Sequence, residues 1–164
     1  MAEENAPVGS DEASKQPQFG IERIFIKDVS LETPKTADTA KRPWSPRVDL
    51  DINTAQKVLE SNRHEVTLRL TITVKDQETE EVYYLIEVNQ SGQFVAVGFS
   101  DDELRRVLAT AAPSTLFPYA RETVDSLVTK AGYPPLRLAP INFDALLHAA
   151  AQQRAEAAKS DTVQ

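Results

Sequence analysis

The sequence predicts an α+β fold, in which a four-stranded antiparallel sheet precedes helices packed on one of its faces. Two observations predict it. Apolar and polar residues alternate with a period of two in the first part of the chain, and after Gly98 the apolar spacing becomes helical. Strands that all precede the helices are typical of an α+β domain. The 164 residues are the length of one ordinary domain.

The first predicted strand covers residues 19–32. Alternation places Phe25, Val29 and Leu31 on one face, and Asp28, Ser30 and Glu32 on the other, together with Ile24 and Ile26. Residues 33–46 follow and contain three prolines and Trp44, so they cannot form a central strand. We therefore expect a meander with a long crossover loop, and a loop of this length in a small domain is often functional.

Three further strands are predicted from alternation. Residues 47–53 and 65–75 each have one apolar and one polar face, as half-buried antiparallel strands do. Residues 81–90 differ, because Tyr83 and Leu85 make the second face apolar as well. Such a strand is either central or exposes apolar surface to a partner.

Three helices should complete the domain. Residues 100–103 form a capping box that begins the first helix, and Pro113 should end it. The second helix should begin near Thr115, with Pro118 in its first turn, where a missing amide is tolerated. Asn142 is a good N-cap for the third.

Composition predicts one domain with two tails. Residues 1–18 and 154–164 contain too few large apolar residues to offset the entropy of ordering, so both are expected to be disordered. The folded domain is expected to cover residues 19–153.

Charge and hydropathy argue against several classes of function. The net charge of −7 disfavours nucleic acid and anionic membranes as partners, since both need a basic surface. The chain begins without a signal peptide and has no run of ~20 apolar residues that could insert into a membrane. We expect a soluble, cytoplasmic protein.

No pattern in the sequence indicates an enzyme, a metal site or a cofactor. There is no cysteine, and neither His64 nor His148 has a ligand or nucleophile at motif spacing. Asp49 and Asp51 share a strand face as glycosidase carboxylates might, but a solvated strand face explains them better. No catalytic residue is predicted.

A surplus of apolar surface points to binding instead. The candidates lie in the long loop, on the outward face of the fourth strand and near the proline-rich segment after the second helix: Trp44, Tyr83, Leu85, Phe117, Tyr119, Tyr133 and Leu136. For Phe117, packing in the chain's own core is an equal alternative. From these residues alone, an adaptor that binds one folded partner competes with a protein that binds many.

Several segments resemble the SecB family of protein-export chaperones. They are the Arg23-Ile24 and Lys27-Asp28 pairs in the first strand, Trp44 in its loop, Leu-Phe-Pro-Tyr-Ala-Arg-Glu at 116–122 and Leu-Ala-Pro-Ile-Asn-Phe-Asp-Ala-Leu at 138–146. The resemblance extends from about Phe19 to about Gln153.

The resemblance implies an ATP-independent molecular chaperone that needs no cofactor. Such a protein binds unfolded preproteins, keeps them competent for translocation and delivers them to the C-terminal zinc-binding tail of SecA for Sec-dependent export across the inner membrane. It is expected to be a cytoplasmic homotetramer, built as a dimer of dimers.

The resemblance also assigns residues to three surfaces. The SecA-binding residues would be Asp28, Glu32, Leu85 and Glu87. The substrate groove would contain Trp44, Phe117, Tyr119, Tyr133 and Leu136, with the 131–141 loop. The assembly interface would involve Ile86, Val88 and Gln90, which alternation places on the face opposite Leu85.

Overall fold

The computed structural model describes residues 16–34 and 43–161. Within these residues, four strands precede three helices. The strands are β1 (Gln18–Glu32), β2 (Pro46–Glu60), β3 (Arg63–Asp76) and β4 (Val82–Val97), and the helices are α1 (Asp101–Ala109), α2 (Ala111–Lys130) and α3 (Phe143–Asp161). The predicted fold class is confirmed.

All strand pairs in the sheet are antiparallel, and the strand order is β1-β4-β3-β2. Strands β2, β3 and β4 form a meander, and the long connection after β1 places that strand beside β4. This is a Greek-key arrangement. It makes β1 and β2 the two edges of the sheet.

The helices cover one face of the sheet, which we call the helix side. Its centre is the alternate residues of β3 from Val66 to Val74, which have no exposed surface. Helix α2 packs against β4 and β3, and its residues Leu116, Ala120 and Val124 complete the core. The opposite face carries no helix among the described residues, and we call it the helix-free face.

Bulges in β1 change the faces that simple alternation predicts. Register shifts lie between Ile21 and Arg23 and between Ile26 and Asp28. Each extra residue inverts the alternation beyond it. Ile24 and Ile26 therefore lie on the helix side, opposite Gly92 and Gln90, whereas Asp28 lies on the helix-free face, opposite Asn89. The predicted grouping of the two isoleucines with Asp28 is wrong for this reason.

Phe25 was also assigned to the wrong face. It pairs with Ser91 and lies on the helix-free face, whereas Val29 and Leu31 pair with Val88 and Ile86 on the helix side.

The helix boundaries differ from the prediction at the prolines. The capping box at Ser100 and Glu103 is present, as predicted. However, α1 ends at Ala109, and Thr110 alone separates it from α2. Pro113 lies in the first turn of α2, where its missing amide costs nothing, and Pro118 lies inside the helix. Tertiary packing on the sheet stabilises a helix that a proline would weaken in isolation.

The strands are longer than predicted. Pairing with β3 extends β2 to Glu60, beyond the predicted end at residue 53. His64 was expected in a polar turn but lies in β3, buried on the helix side opposite Phe94. Cross-strand pairing outweighs the weak local preference of residues 54–60.

The third helix begins as predicted and ends later. Asn142 caps α3, since its side-chain oxygen accepts a hydrogen bond from the amide of Ala145 at 3.0 Å. The structure continues α3 to Asp161, through most of the segment for which a disordered tail was predicted, because its alanines favour helix. Residues 1–15, 35–42 and 162–164 lie outside the described residues.

No helix in the described part of the chain is both long enough and apolar enough to cross a membrane.

Helix α2 packs closely on the sheet at Gly92. A Cβ atom there would lie 2.9 Å from Leu116 Cδ2 and 2.9 Å from Phe94 Cε2. We expect Gly92→Ala to destabilise the protein by about 1–3 kcal/mol, because the core must shift to accept the methyl group. Urea unfolding at equilibrium measures this. Gly20→Ala is the matched control, since nothing lies within 4 Å of a Cβ at Gly20. Equal stability of the two variants would contradict the close packing.

Candidate functional site

A groove of about 550 Å³ lies between the edge strand β2 and helix α3. Its floor is the helix side of β2, and its wall is the inner face of α3. We call it the β2 groove. Its lining is mainly apolar and includes Leu50, Ile52, Phe143, Leu146 and Leu147.

The side chains of the β2 groove are exposed although they are apolar. Leu50 is 39% exposed and Leu146 is 45% exposed. Phe143 anchors the start of α3 in the core, where its ring lies edge-on to Phe117 at 6.3 Å. Beyond that anchor, nearly all described side chains of α3 are exposed. An open apolar groove of this kind can bury apolar side chains of another polypeptide.

An aromatic cluster lies at the Pro46 end of β2. The Trp44 ring packs on Tyr83 at 4.7 Å and on Tyr133 at 5.8 Å, and Tyr133 packs on Tyr84 at 4.9 Å. Burial, Tyr133 and Asp125 raise the pKa of Tyr84 to about 12, so this hydroxyl is neutral. Trp44 is partly exposed and adjoins the helix side of β2.

Tyr83 was expected on an outward face, and the structure places it elsewhere. It is buried, because a register shift between Val74 and Lys75 leaves Tyr83 as the extra residue of β4. A bulge re-aims the side chain at such a position. The ring therefore lies on the helix side, beneath Trp44.

Asp76 fixes this end of the sheet. Its Oδ1 accepts hydrogen bonds from the amides of Glu78 and Thr79, each at 2.9 Å, and its Oδ2 accepts one from the Tyr83 hydroxyl. The Tyr83 bond, followed by the two amide bonds, lowers the pKa of Asp76 to about 2. Because the carboxylate is ionised at neutral pH, it remains an acceptor for all three donors.

The structure separates the groove residues that the resemblance predicted. Trp44 and Tyr119 are exposed, and Leu136 is partly buried against the core. Phe117 and Tyr133 are buried within the core of the chain itself, so they cannot be open walls of a groove here. For Phe117, the alternative of core packing is the observed one.

The sequence did not identify the residues that line the β2 groove most openly. Leu50 and Ile52 belong to the apolar face of the strand predicted over residues 47–53, and Leu146 and Leu147 belong to the third predicted helix. Each pattern was correct, but the sequence did not show that β2 is an edge strand which the helices leave partly uncovered.

Four predicted docking residues lie together on the helix-free face. Glu32 is directly opposite Leu85, and Asp28 is opposite Asn89. Glu87 lies between these pairs along β4, opposite Ser30. The side chains of directly paired residues point to the same face. We call Asp28, Glu32, Leu85 and Glu87 the docking patch.

The docking patch carries negative charge that no neighbouring cation neutralises. Among the described residues, no ion pair involves Asp28, Glu32 or Glu87. Elsewhere on this face some charges are paired, since Lys27 contacts Glu65 and Lys75 contacts Asp49. With Leu85 partly exposed beside the acids, the patch suits a basic partner with some apolar surface.

Ile86, Val88 and Gln90 are buried on the helix side. The Gln90 side chain donates a hydrogen bond to the Phe25 carbonyl at 2.9 Å, next to the bulge of β1. These residues cannot contact a second copy directly, because the chain's own helices cover them. They can affect assembly only through the shape of the sheet.

The edge of β1 offers a different surface. The strand has a partner on one side only, and Ile21, Ile26 and Val29 are exposed on its helix side. Helix α2 packs mainly on β3 and β4 and contacts β1 less, so these side chains keep 39–48% of their surface exposed. An unpaired edge strand with exposed apolar residues can pair with another chain.

Comparison with protein families gives a match over most of the chain. The family model described as "Preprotein translocase subunit SecB" matches residues 12–154.

Curated relatives match over similar lengths. "Protein-export protein SecB" of Pseudomonas fluorescens (strain SBW25) is 47% identical over 148 residues, covering 90% of this chain and 91% of the relative. "Protein-export protein SecB" of Ectopseudomonas mendocina (strain ymp) is 47% identical over 133 residues, covering 81% of each.

One solved structure has the same fold. It is the SecB-like chaperone of Mycobacterium tuberculosis in complex with a ChAD peptide from an antitoxin. The TM-score is 0.61 at 20% sequence identity, and the match covers 76% of this chain and 91% of that one. At this identity, the likeness shows the fold alone.

Proposed function

This chain belongs to the SecB family of protein-export chaperones, and on that premise we propose that it binds unfolded precursor proteins without ATP, keeps them translocation-competent and delivers them to SecA for Sec-dependent export across the inner membrane. The observation that carries the proposal is the β2 groove, in which Leu50 and Leu146 stay exposed in the folded chain. Such a chaperone works in the cytoplasm.

The β2 groove suits unfolded clients because its chemistry is general. Burying apolar surface contributes ~25 cal/mol per Å², whatever the sequence that supplies it. The free edge of β2 adds backbone donors and acceptors, which an extended client can pair with. Folded proteins have already buried both kinds of group and bind poorly. Clients that fold slowly stay available for longest.

The proposed assembly is a homotetramer built as a dimer of dimers. Support comes from the unpaired edge of β1 and from its exposed Ile21, Ile26 and Val29, which a second copy of the strand would cover. A client that reaches several grooves on one particle gains avidity of roughly 10²–10⁴ over a single contact. Weak local contacts would therefore suffice to hold it.

The docking patch is the proposed contact for SecA. Its three unpaired carboxylates would attract a small basic module such as the C-terminal zinc-binding tail of SecA, and Leu85 would supply an apolar contact. The patch and the β2 groove lie on opposite faces of the sheet. Client binding and SecA binding should therefore be separable by mutation.

Groove variants test client binding. We expect Leu50→Gln with Leu146→Gln to weaken client binding about tenfold or more, because two contact leucines lose apolar area. The measurement is the delay that stoichiometric chaperone imposes on the refolding of a slow-folding precursor. Val58→Gln is the control, since Val58 is 69% exposed on the same strand but does not line the groove. A wild-type protein that causes no delay would refute the proposed function, and an equal loss in the control would refute the groove.

Variants of the docking patch test the second surface. Asp28→Ala with Glu87→Ala should reduce SecA affinity at least tenfold and leave client holding within about twofold, since charge-mediated association depends on such groups. Titration calorimetry with SecA or its tail peptide measures this, and wild-type affinity should fall with added salt. Glu60→Ala with Glu78→Ala removes the same charge outside the patch. Parallel loss of client holding would show that the surfaces are not separate.

Native mass spectrometry tests the assembly. The wild-type protein should have four times the 18.2 kDa mass of one chain. Ile26→Asp with Val29→Asp should yield smaller species, because the charges would be buried without partners. Val58→Asp should leave the tetramer intact. If the Ile26→Asp, Val29→Asp variant still forms a tetramer, the edge of β1 is not an assembly interface. Val88→Asp cannot decide the question, since Val88 is fully buried in the monomer core.

A further inference from the structure

Trp44 lies over two buried aromatic rings and leaves its other face open. Its ring is 4.7 Å from Tyr83 and 5.8 Å from Tyr133, and the residue is 40% exposed. Beneath it, Tyr83 is 5% exposed. Part of the indole is therefore covered by the chain itself, and the exposed part is available to a ligand.

Tyr83 is held on several sides. Its hydroxyl donates to the Asp76 carboxylate, and its carbonyl accepts a hydrogen bond from the Tyr133 hydroxyl at 3.0 Å. The bulge in β4 directs its ring to the helix side. A ring fixed in this way is a rigid surface for Trp44 to pack on.

The backbone beside Trp44 is attached to the same hairpin. The Gln77 amide donates a hydrogen bond to the Ser45 carbonyl at 2.9 Å, and Arg47 donates to the Glu80 carboxylate from both of its terminal guanidinium nitrogens. These bonds fix the main chain of the segment next to Trp44. They do not fix the rotamer of the indole. That rotamer depends on the rings that the indole packs on, chiefly Tyr83.

We propose that Tyr83 is a positioning residue, which holds the Trp44 indole in a binding-ready orientation at the Pro46 end of β2 before any client arrives. The inference rests on the proposed function, in which Trp44 contacts clients. Tyr83 itself is buried and touches no client. It acts through Trp44.

The consequence for binding is a smaller entropic cost. A client that packs on a fixed indole does not have to order it, whereas a free indole loses rotamer freedom when the client binds. The ordering of one large side chain corresponds to roughly 3- to 10-fold in affinity. We expect a loss of this size when the Tyr83 ring is removed, and only for clients that contact Trp44.

The chain offers a direct spectroscopic test, because Trp44 is its single tryptophan. Intrinsic emission therefore reports on this one ring, without a client and without a label. In Tyr83→Ala, emission should shift to longer wavelength, and acrylamide quenching should increase about twofold or more. Tyr83→Phe keeps the ring and should restore emission and quenching close to wild-type values. Val58→Gln is the control, since it changes an exposed apolar residue of β2 that does not line the groove.

Client affinity is then measured with the same four proteins. The expected order is wild type and Val58→Gln together, Tyr83→Phe within about twofold of them, and Tyr83→Ala weaker by about 3- to 10-fold. Circular dichroism and the urea midpoint establish that each variant is folded. If Tyr83→Ala does not fold, Tyr83→Leu takes its place, because it keeps apolar volume but provides no aromatic ring.

Three outcomes would overturn the inference. They are unchanged Trp44 emission and quenching in a folded variant without the ring, the same red shift in Val58→Gln, and a red shift in Tyr83→Ala with unchanged client affinity. If the wild-type protein binds no unfolded client, the proposed function fails instead, and the emission data still decide whether Tyr83 positions Trp44.

Discussion

The structure depends on a difference in width between the sheet and the helix that packs on it. Four strands at a spacing of about 4.8 Å make a sheet that a single helix, about 10 Å across, can only half cover. Helix α2 packs mainly on β3 and β4, and the helix side of both edge strands remains partly open. On β2 the partial cover by α3 makes a groove, and on β1 Ile26 stays 48% exposed. Both proposed apolar surfaces follow from this geometry.

On the helix-free face, paired and unpaired charged residues also lie in different regions. Bulges in β1 bring Asp28 and Glu32 beside Leu85 and Glu87 of β4, although Asp28 would otherwise share a face with Ile26. Directly before this patch in β1, Lys27 reaches Glu65 of β3, and further toward the start of the strand Glu22 reaches Arg63, so these charges are compensated. The uncompensated acids are thereby confined to one part of a face that has no helix to cover it.

Much of the fold could be predicted from the sequence, because its signals are local. Alternation identified all four strands, and the side chains of Ser100 and Asn142 marked two helix starts. The predictions that failed concern features that depend on contacts between residues distant in the sequence. The extension of β2 needs its partner β3, and the burial of Tyr83 needs a bulge that alternation does not reveal. The docking patch followed from family resemblance, and only the strand register explains why its members meet.

The β2 groove and the docking patch lie on opposite faces of one sheet. If SecA docks on the patch as proposed, a client bound in the groove would not obstruct its approach, and both ligands could occupy the protein at once. Transfer would then pass through a ternary complex, and the precursor would not be free in solution, where it could aggregate or fold. This order of events would follow from a single thin sheet whose two faces are chemically unlike.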